Sequence, residues 1–341
     1  MKKSVAAIAL VSASALALAG CSTTPSAEGG TGGTDGLTVV ATTNIYGSLA
    51  EQIGGDRVSV TSIIDSASQD PHSYEASARD RLTVQEADLV IENGGGYDSF
   101  IEDLLEGSDA ETITAVEFSH DYPGNEGHEA DAEAHAHEDE HAEEEHSEEE
   151  HSEEEHADEH ESHDHIEGFN EHVWFDPHTM IHVVEDIAAE LTALDPDGET
   201  GFTAAADEII ADLEGSEADL ADLNAQYAGT GFFMTEPLPG YLAEAAGLTD
   251  VTPEGFSEAV EEGTDVAPAT LLAAIEVIES GDAAVVLTNA QTGGAETTRV
   301  EETAEAAGVP VVAFTELLED GSSYSEWMAD AIQNLADALA S

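Results

Sequence analysis

Apolar and polar positions follow two patterns that take turns along the chain. Short apolar runs bounded by turn residues, at 37–42, 58–64 and 87–91, predict buried strands. Residues 44–53, with apolar side chains at helical spacing and Gly54-Gly55 behind them, predict a helix between the first two runs. A short helix over 79–86 is expected to lead into the third run, which ends in the Gly94-Gly95-Gly96 turn. An Ala- and Glu-rich stretch with few breakers, 199–227, predicts one long helix. Beyond it, 232–234, 283–287 and 309–314 predict strands, and 268–279, 296–307 and 322–340 predict helices, with Gly281 and Gly308 as helix stops.

Strand alternating with helix is the signature of an α/β fold. The expected architecture is two lobes, 37–197 and 229–341, each a parallel sheet flanked by helices, joined by a linking helix over 198–228. Open sheets of this kind bind ligands beyond the carboxyl ends of their strands, so the cleft between the lobes is the expected site.

The N-terminus predicts its own location. Lys2 and Lys3 precede an apolar run over 5–19 that ends in Leu18-Ala19-Gly20-Cys21. The run is too short for a comfortable membrane span, and the small residues suit cleavage before the cysteine. This resembles a bacterial lipoprotein signal, so 1–20 is expected to be removed and Cys21 to carry the lipid anchor. Residues 21–36, rich in Ser, Thr and Gly, are the expected flexible tether. The remainder would work outside the cytoplasmic membrane, anchored to it as a lipoprotein.

Composition narrows the partners. The 341 residues carry 76 acidic and 6 basic side chains, a net charge of −70, which excludes nucleic acid as a partner because phosphates need Lys and Arg. Cations are the natural ligands. A single cysteine leaves any metal site to His, Asp and Glu. Residues 120–165 hold eleven histidines among dense acids, with the unit Glu143-Glu144-Glu145-His146-Ser147 repeated at once as Glu148-Glu149-Glu150-His151-Ser152. With so few apolar side chains this segment is expected to be a disordered insertion that collects divalent ions weakly.

Outside it, two histidines sit in compact motifs, Asp70-Pro71-His72-Ser73-Tyr74-Glu75 and His172-Val173-Trp174-Phe175-Asp176-Pro177. These motifs resemble those of the metal-binding solute receptors, many of them lipoproteins, that deliver zinc or manganese to ABC importers. The resemblance implies His72 and His172 as metal ligands and a His-rich loop between them, as in zinc-binding members. It also implies two ligands from the second lobe. Glu236, in Thr235-Glu236-Pro237-Leu238-Pro239-Gly240-Tyr241, stands where zinc members have His and manganese members have Glu. Glu316, after the run 311–314, stands where an Asp is more usual. Glu236 also reads as a helix-start acid and Glu316 as a surface acid.

Two imidazoles and two carboxylates would bring a divalent ion close to neutrality, which burial requires. Asp70, Asp176 and Glu75 are the candidates to hold the outer ring nitrogens of the histidines. His178 and His182, at i, i+4 spacing, read as an exposed helix face ahead of a secondary metal site. The expected protein is a monomeric, non-enzymatic receptor that captures Zn2+, or Mn2+, and passes it to a membrane permease of the ABC type. A metal-dependent hydrolase and a metal buffer acting through the His-rich loop are the alternatives. The chain has no nucleophile elbow, and its glycines lack the spacing of a dinucleotide fingerprint.

Overall fold

The computed structural model describes residues 36–66, 69–125, 166, 168–319 and 321–341, which all belong to one compact unit, Gly36–Ser341. The expected signal peptide, Cys21 and nearly all of the tether lie outside the described residues, as do 126–165 of the His-rich segment with its repeat. Among the described residues no helix is long and apolar enough to cross a membrane.

The first part of the chain runs β1 (Leu37–Thr43), α1 (Asn44–Gly54), β2 (Val58–Ile64), α2 (Ala78–Gln85), β3 (Leu89–Glu92), α3 (Phe100–Leu105), β4 (Glu111–Thr114) and α4 (Pro177–Leu194). The 29-residue α5 (Glu199–Tyr227) follows. Then come β5 (Gly231–Met234), α6 (Gly240–Ala245), β6 (Thr249–Asp250), α7 (Ser257–Glu261), α8 (Pro268–Ser280), β7 (Val285–Asn289), α9 (Ala295–Ala307), β8 (Val311–Phe314) and α10 (Tyr324–Leu339). The strands form two four-stranded sheets in the orders β2-β1-β3-β4 and β6-β5-β7-β8. Every pairing is parallel, with Val39 opposite both Val60 and Leu89, and Phe232 opposite both Asp250 and Val285. The two parallel-sheet layers flanked by helices and the long connecting helix are therefore present.

Parallel strands covered on both faces must be apolar on both, and β1 and β5 are. Val39 and Ala41 point into the large core with Ile45, Leu49 and α4 residues Val183 and Ile187, while Val40 points the other way with Val84 and Ile101. Phe232 joins the large core and its neighbour Phe233 packs with Phe256 and Ile278 on the opposite face. Each Val, Leu, Ile or Phe side chain among them contributes roughly 1.5–3 kcal/mol by leaving water. The last helix returns to the first sheet's side: α10 packs on α5 and α1, and the Tyr324 hydroxyl donates to the Trp174 carbonyl at 2.7 Å.

Strand limits differ by a residue or two from those expected. β7 begins at Val285 instead of 283, and just ahead of it Ala284 N–H donates to the Gly231 carbonyl of β5 at 2.8 Å. A Cβ on Gly231 would lie 2.1 Å from the Asp282 oxygen, so only glycine fits there.

Candidate metal centre

The loops that leave the carboxyl ends of β2, β3, β5, β7 and β8 converge, and the polar side chains they carry are mostly buried. After β2, Asp70 caps a single 3-10 turn, Pro71–Ser73, by accepting the His72 N–H at 3.0 Å and the Ser73 hydroxyl at 2.7 Å. Pro71 presets the backbone, so His72 is placed by local chemistry. After β3, three consecutive glycines with φ of 79°, 70° and 97° reverse the chain. Buried Asp98 pins that turn by accepting the Asn93 and Gly94 N–H groups at 2.7 and 2.8 Å. The turn delivers Tyr97 between the two histidines, its ring centroid 4.8 Å from His72 and 5.8 Å from His172.

His172 is 2% exposed and its ring centroid lies 6.0 Å from that of His72. Its Nδ1 is 2.8 Å from Asn170 Oδ1. Asn170 Nδ2 donates to the Pro237 carbonyl at 3.1 Å, which can only accept, so Oδ1 is the acceptor and His172 Nδ1 carries the proton. In the neutral ring the lone pair is therefore on Nε2, which faces Glu261 Oε1 at 3.5 Å. Asn170 also joins the two halves of the site, since its own carbonyl accepts the Tyr241 hydroxyl at 2.9 Å.

Glu236 and Glu316 are 5% and 3% exposed and share one donor: Asn289 Nδ2 reaches Glu236 Oε2 at 2.8 Å and Glu316 Oε1 at 2.6 Å. Thr292 donates to Glu236 Oε1, and Tyr97 donates to Glu316 Oε2 at 3.1 Å. Gln291 holds the strand end by accepting the Glu316 and Leu317 N–H groups at 2.6 and 3.1 Å. Neither acid is a surface residue, and Glu236 precedes α6 without capping it by a side-chain hydrogen bond.

The electrostatics are those of a site that wants a cation. Burial raises the Glu236 carboxyl above the usual range, against the donors Thr292 and Asn289. Burial also carries Glu316 to about 7, with Asn289 opposing and Glu236 and Asp70 adding to the shift. Glu261 is raised furthest, first by burial and then by Glu171, Glu236 and Glu316. Carboxyls that repel one another out of water either keep protons or take up positive charge.

Of the expected set, His72 and His172 meet, and Glu236 and Glu316 meet each other through Asn289. Ligand atoms of His72, His172 and Glu261 all lie within 4.8 Å of one another. Glu261 and Asn170 were not among the expected residues. Glu261 sits in an acid-rich run, Glu258-Ala259-Val260-Glu261-Glu262, that looks like solvated surface; Asn170 stands two residues before His172, a spacing that signals a side chain able to reach back to its ring. The expectation for the outer ring nitrogens is corrected for His172: Asn170 holds it, while Asp176 caps α4 through His178 and Thr179 N–H, Asp70 caps the His72 turn, and Glu75 is exposed. His178 and His182 lie on α4 with rings 5.1 Å apart, each Nδ1 near its own carboxylate, Glu217 at 3.2 Å and Glu185 at 3.0 Å.

Residues 39–338 match the family model described as zinc-uptake complex component A, periplasmic, abbreviated ZnuA. The zinc-binding lipoprotein AdcA of Streptococcus pneumoniae is 27% identical over 255 residues, 74% of this chain and 44% of that protein. The manganese-binding lipoprotein MntA of Halalkalibacterium halodurans is 26% identical over 210 residues, 61% of this chain and 56% of that protein. The chain thus spans about half the length of these curated relatives. Among solved structures, a crystal structure of ZnuA (TM-score 0.63, 19% identity) and the laminin-binding protein Lmb of Streptococcus agalactiae (0.65, 18%) share the fold, each over 89% of this chain and 100% of the other. With the family model matched across both sheets and the helix between them, the chain belongs to the ZnuA family of metal-binding receptors of ABC importers.

Proposed function

We propose that the chain is an extracytoplasmic receptor, lipid-anchored through Cys21, that binds one divalent transition metal in the cleft and delivers it to an ABC-type permease. The observation that carries this reading is the convergence of His72, His172 and a set of buried, mutually repelling carboxyls at the carboxyl ends of strands from both sheets. Two imidazole nitrogens suit Zn2+, and carboxylate oxygens suit harder ions such as Mn2+; Zn2+ comes first on intrinsic affinity. His72, His172, Glu236 and Glu316 are the proposed ligands. Glu236 and Glu316 can ligate without giving up their donors, because each carboxylate oxygen has a second lone pair. Relatives whose names call them zinc- or manganese-binding lipoproteins support both the ion and the anchor. The protein performs no reaction on the ion.

The test is a titration of the purified chain with Zn2+ and Mn2+ against a chelator strong enough to strip weak sites. One tight equivalent is expected, lost when His72 and His172 are both changed to Ala. No tight equivalent in the parent, or one that survives the double change, overturns the reading.

A further inference from the structure

We propose that Glu261, the last residue of α7, is a direct ligand of the ion in this cleft. The inference rests on the receptor reading above and adds a donor to it. Position is the first argument. Glu261 Oε1 lies 3.5 Å from His172 Nε2, the ring nitrogen opposite the one that meets Asn170, and belongs to the group with His72 whose ligand atoms fall within 4.8 Å. An ion seated between an imidazole nitrogen and a carboxylate oxygen about 2 Å from each would need little rearrangement.

The second argument is what surrounds each oxygen. Both oxygens of Glu236 and both of Glu316 accept a hydrogen bond, from Thr292, Asn289 and Tyr97. Glu261 Oε1 is buried, with its side chain 12% exposed, and accepts no hydrogen bond among the described residues. A buried acceptor left without a donor is costly, and a cation is the partner that would remove the cost.

The third argument is rigidity. Glu261 does not hang on a loose loop: the end of α7 is closed by Gly263 N–H donating to the Val260 carbonyl at 3.0 Å and Thr264 N–H to the Ala259 carbonyl at 2.8 Å. Gly263, at φ 63°, makes that closure possible.

With Glu261 the donor set becomes two nitrogens and three carboxylates. Zn2+ is content with four ligands, whereas Mn2+ prefers more oxygens around it. Glu261→Gln keeps the shape and removes the anionic donor, so it should weaken Mn2+ more than Zn2+. Losing an outer-sphere partner costs roughly 10–100-fold in metal affinity, so losing a direct donor should cost Mn2+ at least about tenfold.

The experiment uses the full chain, the tight equivalent isolated by chelator competition, and the variants Glu261→Gln, Glu261→Ala and, as a neighbouring exposed control, Glu262→Gln. Co2+ supplies a second readout, because its visible absorption strengthens when coordination falls towards four. The result expected is a Mn2+ loss exceeding the Zn2+ loss in both Glu261 variants, a stronger Co2+ spectrum, and parent behaviour in Glu262→Gln. Affinities within about twofold of the parent for both metals and an unchanged Co2+ spectrum would overturn the assignment. A parent with no tight equivalent would instead overturn the receptor reading.

Discussion

Asn170 decides which nitrogen of His172 faces the cleft. Its Oδ1 accepts from both the Nδ1 proton and the backbone N–H of His172, so the ring can neither rotate nor exchange tautomers without losing a bond. Asn170→Ala should therefore weaken the tight metal equivalent by about 10–100-fold, while Asn170→Asp, which keeps the acceptor, should recover most of it. Chelator competition gives the affinities, and nitrogen NMR of the histidines reports the tautomer; an Ala variant with parent affinity would sink the idea. Protons should compete at the same residues. The imidazoles bind metal only when unprotonated, with a reference pKa of about 6.5, and Glu316, at about 7, must also release a proton as the ion enters. Affinity should fall as pH drops from 7.5 through 7 and continue falling below 6.5, with more than one proton released per ion. A flat profile between pH 7.5 and 5.5 would contradict a site built on two histidines and raised carboxyls. The two histidines stood out in the sequence because their motifs, Asp70-Pro71-His72-Ser73-Tyr74-Glu75 and His172-Val173-Trp174-Phe175-Asp176-Pro177, resemble those of metal-binding receptors. Glu261 did not, since nothing in the order of residues separates one acid of this chain from the other 75.

Legibility at the level of elements follows length and burial. β1, α1 and α5 were plain because each repeats its period several times, and a period is a signal only when it repeats. β6 is two exposed residues, Thr249 and Asp250, that become a strand solely by pairing with β5, and β4 buries only Ile113. α6 and α7, six and five residues long, are too short to show a helical face and hold their shape by packing. Glu92 closes β3 and shows how an element end stores a pH dependence. Its Oε1 accepts from Thr114 on β4 at 2.7 Å, yet burial, with Asp98 adding, raises its carboxyl from 4.5 to about 7. The folded state therefore favours the protonated acid. Its contribution is full below about pH 4.5 and is lost as pH rises through 7. Glu92→Gln should leave stability unchanged near pH 4 and raise it by about 1–3 kcal/mol at pH 8, measured by urea unfolding at the two values. Equal stability at pH 8 would mean that the acid is solvated when charged.

On the scale of the molecule, 76 acids against 6 bases leave the fold under repulsion that no local contact removes. The Arg57–Asp195 pair, in which Nη2 and Nε both reach Oδ2 at 2.5 and 2.6 Å, is partly exposed, and such a pair offsets at most about 1 kcal/mol. Raising salt from 0.1 to 1 M shortens the screening length from about 10 to about 3 Å, so the melting temperature should climb over that range. Residues 126–165 hold 20 of the acids and 10 of the 15 histidines, so their removal tests what they add to metal binding and to the charge of the chain. Repeated units of near-identical composition would offer many similar weak sites instead of one shaped site. The cleft residues His72, His172, Glu236, Glu261 and Glu316 all lie outside this segment. Deleting 126–165 should therefore lower the total Zn2+ bound at equilibrium dialysis, reduce the salt needed for full stability, and leave the tightest equivalent nearly unchanged. If the tightest equivalent disappears with the segment while the chain still melts cooperatively, then a histidine from that segment completes the cleft site and the five residues are not sufficient by themselves.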